Sequence, residues 1–137
     1  MKIEDNLLLS CFKELFLTFL LATKTCILKF FITNRKKQKI QLTPAYDFLN
    51  TTIAMANPEE ELALSLKGKK KGFKKSDFVL FAVSDLCMTD IRANKEINTM
   101  LSVIPEWIKM IDHSFLSIDM NKEYKNLVTK RAKRLSG

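Results

Sequence analysis

The chain has 137 residues and a formal charge of +8, with 47% hydrophobic residues, 3 Gly and 3 Pro. That length and apolar content support one packed domain and exclude wholesale disorder. So little Gly and Pro argues against a loop-rich sandwich, a collagen-like repeat or a low-complexity linker.

The N-terminal stretch is strongly apolar, but its uncharged run from Leu15 to Thr23 is bounded by Lys13, Glu14 and Lys24. A membrane-spanning helix needs about 20 apolar residues, so this run is too short. Glu4 and Asp5 stand where a secretory leader would be basic. A buried helix is the better reading. Asp5 or Asn6 can cap it, and Leu8, Phe12, Leu15 and Phe19 repeat at helical spacing. Leu7, Leu9, Leu17 and Leu20 carry apolar character around the other side, so the helix wants neighbours on most sides. A large patch left uncovered on it would mark a missing partner or lobe.

Ile27 to Thr33 is apolar and β-branched, residues 34–38 form a polar turn, and Lys39 to Thr43 alternates strictly. Together these read as a β-hairpin, ended by Pro44 because proline gives no ladder donor. Tyr46 to Thr52 reads as a turn or short helix, and Pro58-Glu59-Glu60 as a second turn. Leu62, Leu64 and Leu66 alternate with small residues as in a strand. Lys67 to Gly72 is a basic loop, after which Ser76 or Asp77 caps a helix containing Phe78, Phe81 and Ala82.

The rest reads as helical. Ile97, Leu101, Ile104, Ile108, Ile111 and Phe115 form a seam at helical spacing, in which Pro105 either kinks one helix or opens a new one. Asp119 can cap a last helix with Tyr124, Leu127 and Val128 inward. Lys130, Arg131, Lys133 and Arg134 crowd its C-terminal end, where cations suit the macrodipole. The fold class expected is α+β and mainly helical: one N-terminal helix, a small β-hairpin, and two or three C-terminal helices packed around it.

Cys11, Cys26 and Cys87 share no C-x-x-C spacing, and with the lone His113 they form no recognisable zinc pattern. They read as reduced thiols in a cytoplasmic protein with no membrane contact. His113, beside Asp112 near a helix end, reads as a surface or capping residue.

The most specific stretch is Gln41-Leu42-Thr43-Pro44-Ala45-Tyr46-Asp47-Phe48-Leu49-Asn50-Thr51. It resembles the L-x-P-A-Y-D-L-L-x-T signature of HipA-like serine/threonine kinases, the toxin components of bacterial toxin–antitoxin pairs. Glu61 to Lys70 resembles the strand and basic loop that follow in that family. Ser114 to Ser117, then Tyr124, Leu127, Arg131 and Leu135, resemble its C-terminal helices. The resemblance covers residues 10–135 and implies that residues 1–137 are a single kinase C-lobe-like fragment, with the N-terminal lobe absent.

Such a kinase holds magnesium between phosphate oxygens and a carboxylate, and places a hydroxyl nucleophile in line. By motif match the magnesium ligand is Asp47; spacing alone favours a turn cap at Asp47 over a metal ligand. The family's catalytic loop, G-N-x-D-x-H-x-K-N-F-S, falls on residues 21–31, which hold no Asp, His or Asn. The expected catalytic base and second metal ligand are therefore missing. No Gly-rich phosphate loop and no V-A-I-K-like lysine strand occurs either. The resemblance implies ATP and magnesium as cofactors, and an antitoxin or a separate N-terminal kinase lobe as partner, with this chain inactive alone.

One permitted choice of codons for residues 22–27 encodes Asn-Lys-Asp-Met-His in a shifted frame, and a Leu21 codon ending in G supplies the preceding Gly. The missing loop is thus expected to lie in another reading frame of the same gene. Two other classes compete with the kinase reading. Six lysines between Lys67 and Lys75 could neutralise nucleic-acid phosphates, although no recognised nucleic-acid motif accompanies them. A non-catalytic partner-binding module is the third.

Overall fold

The computed structural model describes residues 5–21, 30–34, 39–42, 60–62 and 65–137. The expected features at residues 43–59, at the turn of 35–38, at Cys26 and at Asp47 lie outside them. Helix α1 spans Asp5–Leu20, strands β1 and β2 span Phe30–Asn34 and Lys39–Leu42, and four helices follow: α2 Lys75–Ser84, α3 Asp90–Ser102, α4 Ile104–Asp112 and α5 Ile118–Ser136. The protein is mainly helical. The two strands pair antiparallel, with Phe30 opposite Leu42 and Thr33 opposite Ile40, and the register shifts between Phe30 and Ile32.

Helix α1 lies against three other elements. It packs on α5, α3 and β2, while α2 packs on α3, and α4 on α5. Its buried side is Phe12, Phe16, Phe19 and Leu20. Leu8 and Leu15 sit half-buried beside that stripe, so the seam runs through Phe16 rather than Leu15. Phe16 and Phe19 each approach Phe78 at 5.1 Å between ring centroids, and Phe19 meets Phe73 at 5.6 Å. The rings are tilted or edge-on, the arrangement the aromatic quadrupole favours, worth about 0.5–1.5 kcal/mol per pair beyond burial. Ala93, Ile97, Met100, Ile104, Ile111, Val128 and Leu135 close the core. Thr18 is buried on α1, and its hydroxyl donates to the Glu14 carbonyl at 2.7 Å, so no polar atom there is stranded.

Several expectations are corrected. Among the described residues the most exposed large apolar side chains are Phe115, Ile118, Ile91 and Met110, none of them on α1. Leu62 and Leu66 are buried, and Leu66 makes an isolated bridge to Lys69; residues 63 and 64 of the expected strand lie outside the described residues. Lys67 and Gly68 both have positive φ, 53° and 76°, and reverse the chain within two residues. The bridge closes by Leu66 N–H to Lys69 carbonyl at 2.8 Å and its reciprocal at 3.0 Å. Two successive left-handed residues make the tight turn suited to an antiparallel reversal.

Helix α2 is capped one turn back from within. Lys74 is the N-cap, and Asp77 in the first turn accepts its backbone N–H at 2.7 Å. Pro105 opens α4 rather than kinking α3, as the missing N–H of a first-turn proline allows. Ile97, Ile104 and Ile111 of the seam are buried, but Phe115 is fully exposed, because α4 stops at Asp112 and the helical period stops with it. Ser117, not Asp119, caps α5 and accepts the Met120 N–H at 3.4 Å; Asp119 lies in the first turn, where a carboxylate suits the dipole.

Candidate functional site

Leu21 and the backbone of residues 30 and 31 are the described part of the expected catalytic-loop region. Strand β2 ends at Leu42, five positions before Asp47. Among the described residues no group of three or more His, Cys, Asp or Glu side chains could hold a metal ion. His113 is the exposed C-cap of α4, with Nδ1 2.7 Å from the Lys109 carbonyl, in keeping with a capping role. Cys11 is half-buried and Cys87 exposed, both as free thiols. Burial, with the Glu14 charge adding to it, pushes the Cys11 thiol up from its ordinary value.

The basic loop is less free than its composition suggests. Lys67 pairs with Asp85 at 2.6 Å, Lys69 with Asp77 at 2.6 Å and Lys70 with Glu60 at 2.8 Å. Lys75 donates to Asn98 Oδ1 at 3.3 Å. Burial would raise the Asp77 carboxyl, but the Lys69 hydrogen bond and the Lys74 N–H outweigh it and hold the group below its ordinary range. Exposed pairs of this kind contribute about 0–1 kcal/mol each. Their consequence is that three of the six lysines from Lys67 to Lys75 already face a carboxylate of the same chain.

Sequence reasoning missed the most elaborate polar arrangement. Glu61 Oε2 accepts the Gly72 N–H at 2.8 Å and the Phe73 N–H at 3.2 Å, while its Oε1 accepts Arg134 at 2.5 Å. Gly72 takes a φ of 68°, which turns the two successive N–H groups into one concavity. The Gly72 and Phe73 N–H groups therefore build an anion cradle, and the chain's own Glu61 fills it. Burial alone would raise the Glu61 carboxyl; Arg134, the Phe73 N–H and the Arg131 charge outweigh it and hold the group below its ordinary value of 4.5.

Arg131 and Arg134 do more than complement the helix dipole. Arg131 is only 3% exposed and donates to the Phe19 carbonyl. Its guanidinium stacks 5.0 Å from the Phe19 ring centroid, with Arg134 at 5.5 Å from the same ring. Burial pulls Arg131 down to about 10, partly opposed by Glu61, so it remains a cation at neutral pH. The sequence signal was available: Tyr124, Val128, Arg131 and Leu135 share one face at helical spacing, which sets Arg131 inward among apolar neighbours.

An open apolar groove of about 390 Å³ lies between α1, α4 and α5, lined by Leu17, Leu21, Trp107, Met110, Ile111, Ser114, Leu116 and Tyr124. No described helix is long and apolar enough to cross a membrane. Compared with known proteins, the chain matches no family model and no curated protein sequence.

Proposed function

We propose that the chain is a catalytically incomplete C-terminal domain of a HipA-like serine/threonine kinase. The observation that carries this reading is the Leu42-Thr43-Pro44-Ala45-Tyr46-Asp47 run, which begins at the last residue of β2. A helix ahead of the strand pair and helices behind it support the same order of elements. In this reading Asp47 supplies one hard carboxylate oxygen, the donor type magnesium prefers, with water completing the shell. When bound, magnesium would screen phosphate charge. ATP does not fit these residues alone, because they include neither a Gly-rich phosphate loop nor a V-A-I-K-like lysine. An ATP-binding lobe would come from a separate partner. Without an Asp base in 21–31, the substrate hydroxyl has no acceptor for its proton, and phosphoryl transfer is not expected from this chain.

Magnesium titration tests the reading. Asp47→Asn is expected to abolish weak magnesium binding while leaving the helical circular dichroism unchanged; equal affinity in both proteins removes the assignment. Sequencing codons 20–33 tests the origin of the missing loop. Codons unable to encode Asn-x-Asp-x-His in either alternative frame defeat the shifted-gene explanation. The nucleic-acid alternative is weakened by the ion pairs of Lys67, Lys69 and Lys70. Tight binding to duplex or single-stranded nucleic acid, falling steeply with salt, would favour it instead.

A further inference from the structure

The last carbonyls of a helix have no partner inside the helix and must find one elsewhere. At the end of α1 the Phe19 carbonyl, and one residue past the helix the Leu21 carbonyl, are met by side chains of α5. Arg131 donates to the Phe19 carbonyl, and the Tyr124 hydroxyl donates to the Leu21 carbonyl at 3.4 Å. Tyr124 and Arg131 are seven residues apart, two helical turns on one face. The Arg131 guanidinium also covers the Phe19 ring, which is itself fully buried against Phe73 and Phe78. Glu61, bound to Arg134 and to the 72–73 backbone, ties the next turn of α5 to the loop before α2.

From this convergence we infer that Arg131 is a positioning residue that fixes where the chain leaves α1, with Tyr124 as its second tether. The C-terminal helix thereby holds the entrance to the residues that follow Leu21. The catalytic meaning of this tether rests on the kinase-lobe reading, in which those residues correspond to the catalytic loop; the tether itself does not. Any partner that unseats the last two turns of α5 would remove the Arg131 tether at Phe19 and leave that of Tyr124 at Leu21.

Hydrogen exchange on the full chain reads this directly, since it reports opening region by region. Arg131→Met keeps the apolar stem and removes the donors. It is expected to speed exchange in a peptide covering residues 17–26 by about tenfold, with residues 93–101 changing less than about twofold. Arg131→Lys, which keeps a charged donor, is expected to recover most of that protection. Tyr124→Phe is expected to give a smaller acceleration, about threefold, confined to the same peptide. Equal acceleration in both peptides means a general loss of stability and overturns the inference, as does no acceleration. If Arg131→Met does not fold, Tyr124→Phe decides alone, by whether its effect is local. Magnesium titration of the same proteins separates the two ideas: local acceleration without any magnesium binding leaves the tether standing and removes the kinase reading.

Discussion

Replacing Glu61 by Ala should destabilise the fold more than any other single change at a surface-reaching carboxylate. The side chain is 19% exposed and makes three hydrogen bonds, to Arg134 and to the N–H groups of Gly72 and Phe73. A hydrogen bond involving a charged group contributes about 1.5–3 kcal/mol. Gly72 is exposed and can turn to water, whereas Phe73 is buried and Arg134 loses its carboxylate. Discounting the exposed share, the loss is about 3 kcal/mol for Glu61→Ala, and about half that for Glu61→Gln, which keeps an acceptor oxygen. Because a domain has only about 5–15 kcal/mol in total, this is measurable by urea unfolding. The pH dependence has a definite sign. Glu61 is held below its ordinary 4.5, so its contribution is complete above that value and is lost as pH falls through the lower, folded value. The gap between the parent and Glu61→Ala should therefore be constant near neutrality and close in acid. Asp77 is lowered as well, but it is present in both proteins and cancels from the difference. A gap under about 0.5 kcal/mol at neutral pH, or one that stays constant into acid, would refute the cradle as a stabilising element.

Three other outcomes are expected. Cys87 is exposed with a φ of 52°, a region costly for side chains, so Cys87→Gly should raise stability by about 0.5–1 kcal/mol; an unchanged or lower melting temperature contradicts this. Phe78→Ala removes the ring on which Phe16 and Phe19 converge and should cost about 3–5 kcal/mol, read as a large fall in the urea midpoint. Phe115→Ser, at a fully exposed position, should leave stability within about 0.5 kcal/mol by urea unfolding; a loss comparable to Phe78→Ala would return Phe115 to the core seam.

Helix α1, the break at Pro105 and the cap at His113 were legible in the sequence because each depends on residues within a turn or two of one another. Apolar spacing, a first-turn proline and a polar residue at a helix end act through local backbone geometry. Asp47 and the P-A-Y-D run were legible only as a motif. Other local signals were misplaced by a residue or two: the caps fell on Lys74 and Ser117, because several neighbouring polar residues could serve and packing chose the helix start. The basic loop read at Lys67 to Gly72 includes a tight turn, made by the left-handed pair Lys67 and Gly68.

What tertiary structure alone decided is the fate of the charges. Arg131 meets a carbonyl 112 positions away and Arg134 a carboxylate 73 positions away. No window of sequence contains both members of such a pair. Helical spacing sets Arg131 on the inward face of α5, but what it meets there depends on the surface presented by α1. Phe115 shows the converse: its spacing matched the seam, but burial requires an opposing surface, and α4 ended before one was reached. Periodicity states where a side chain would point if the helix continued; only packing states what it meets there.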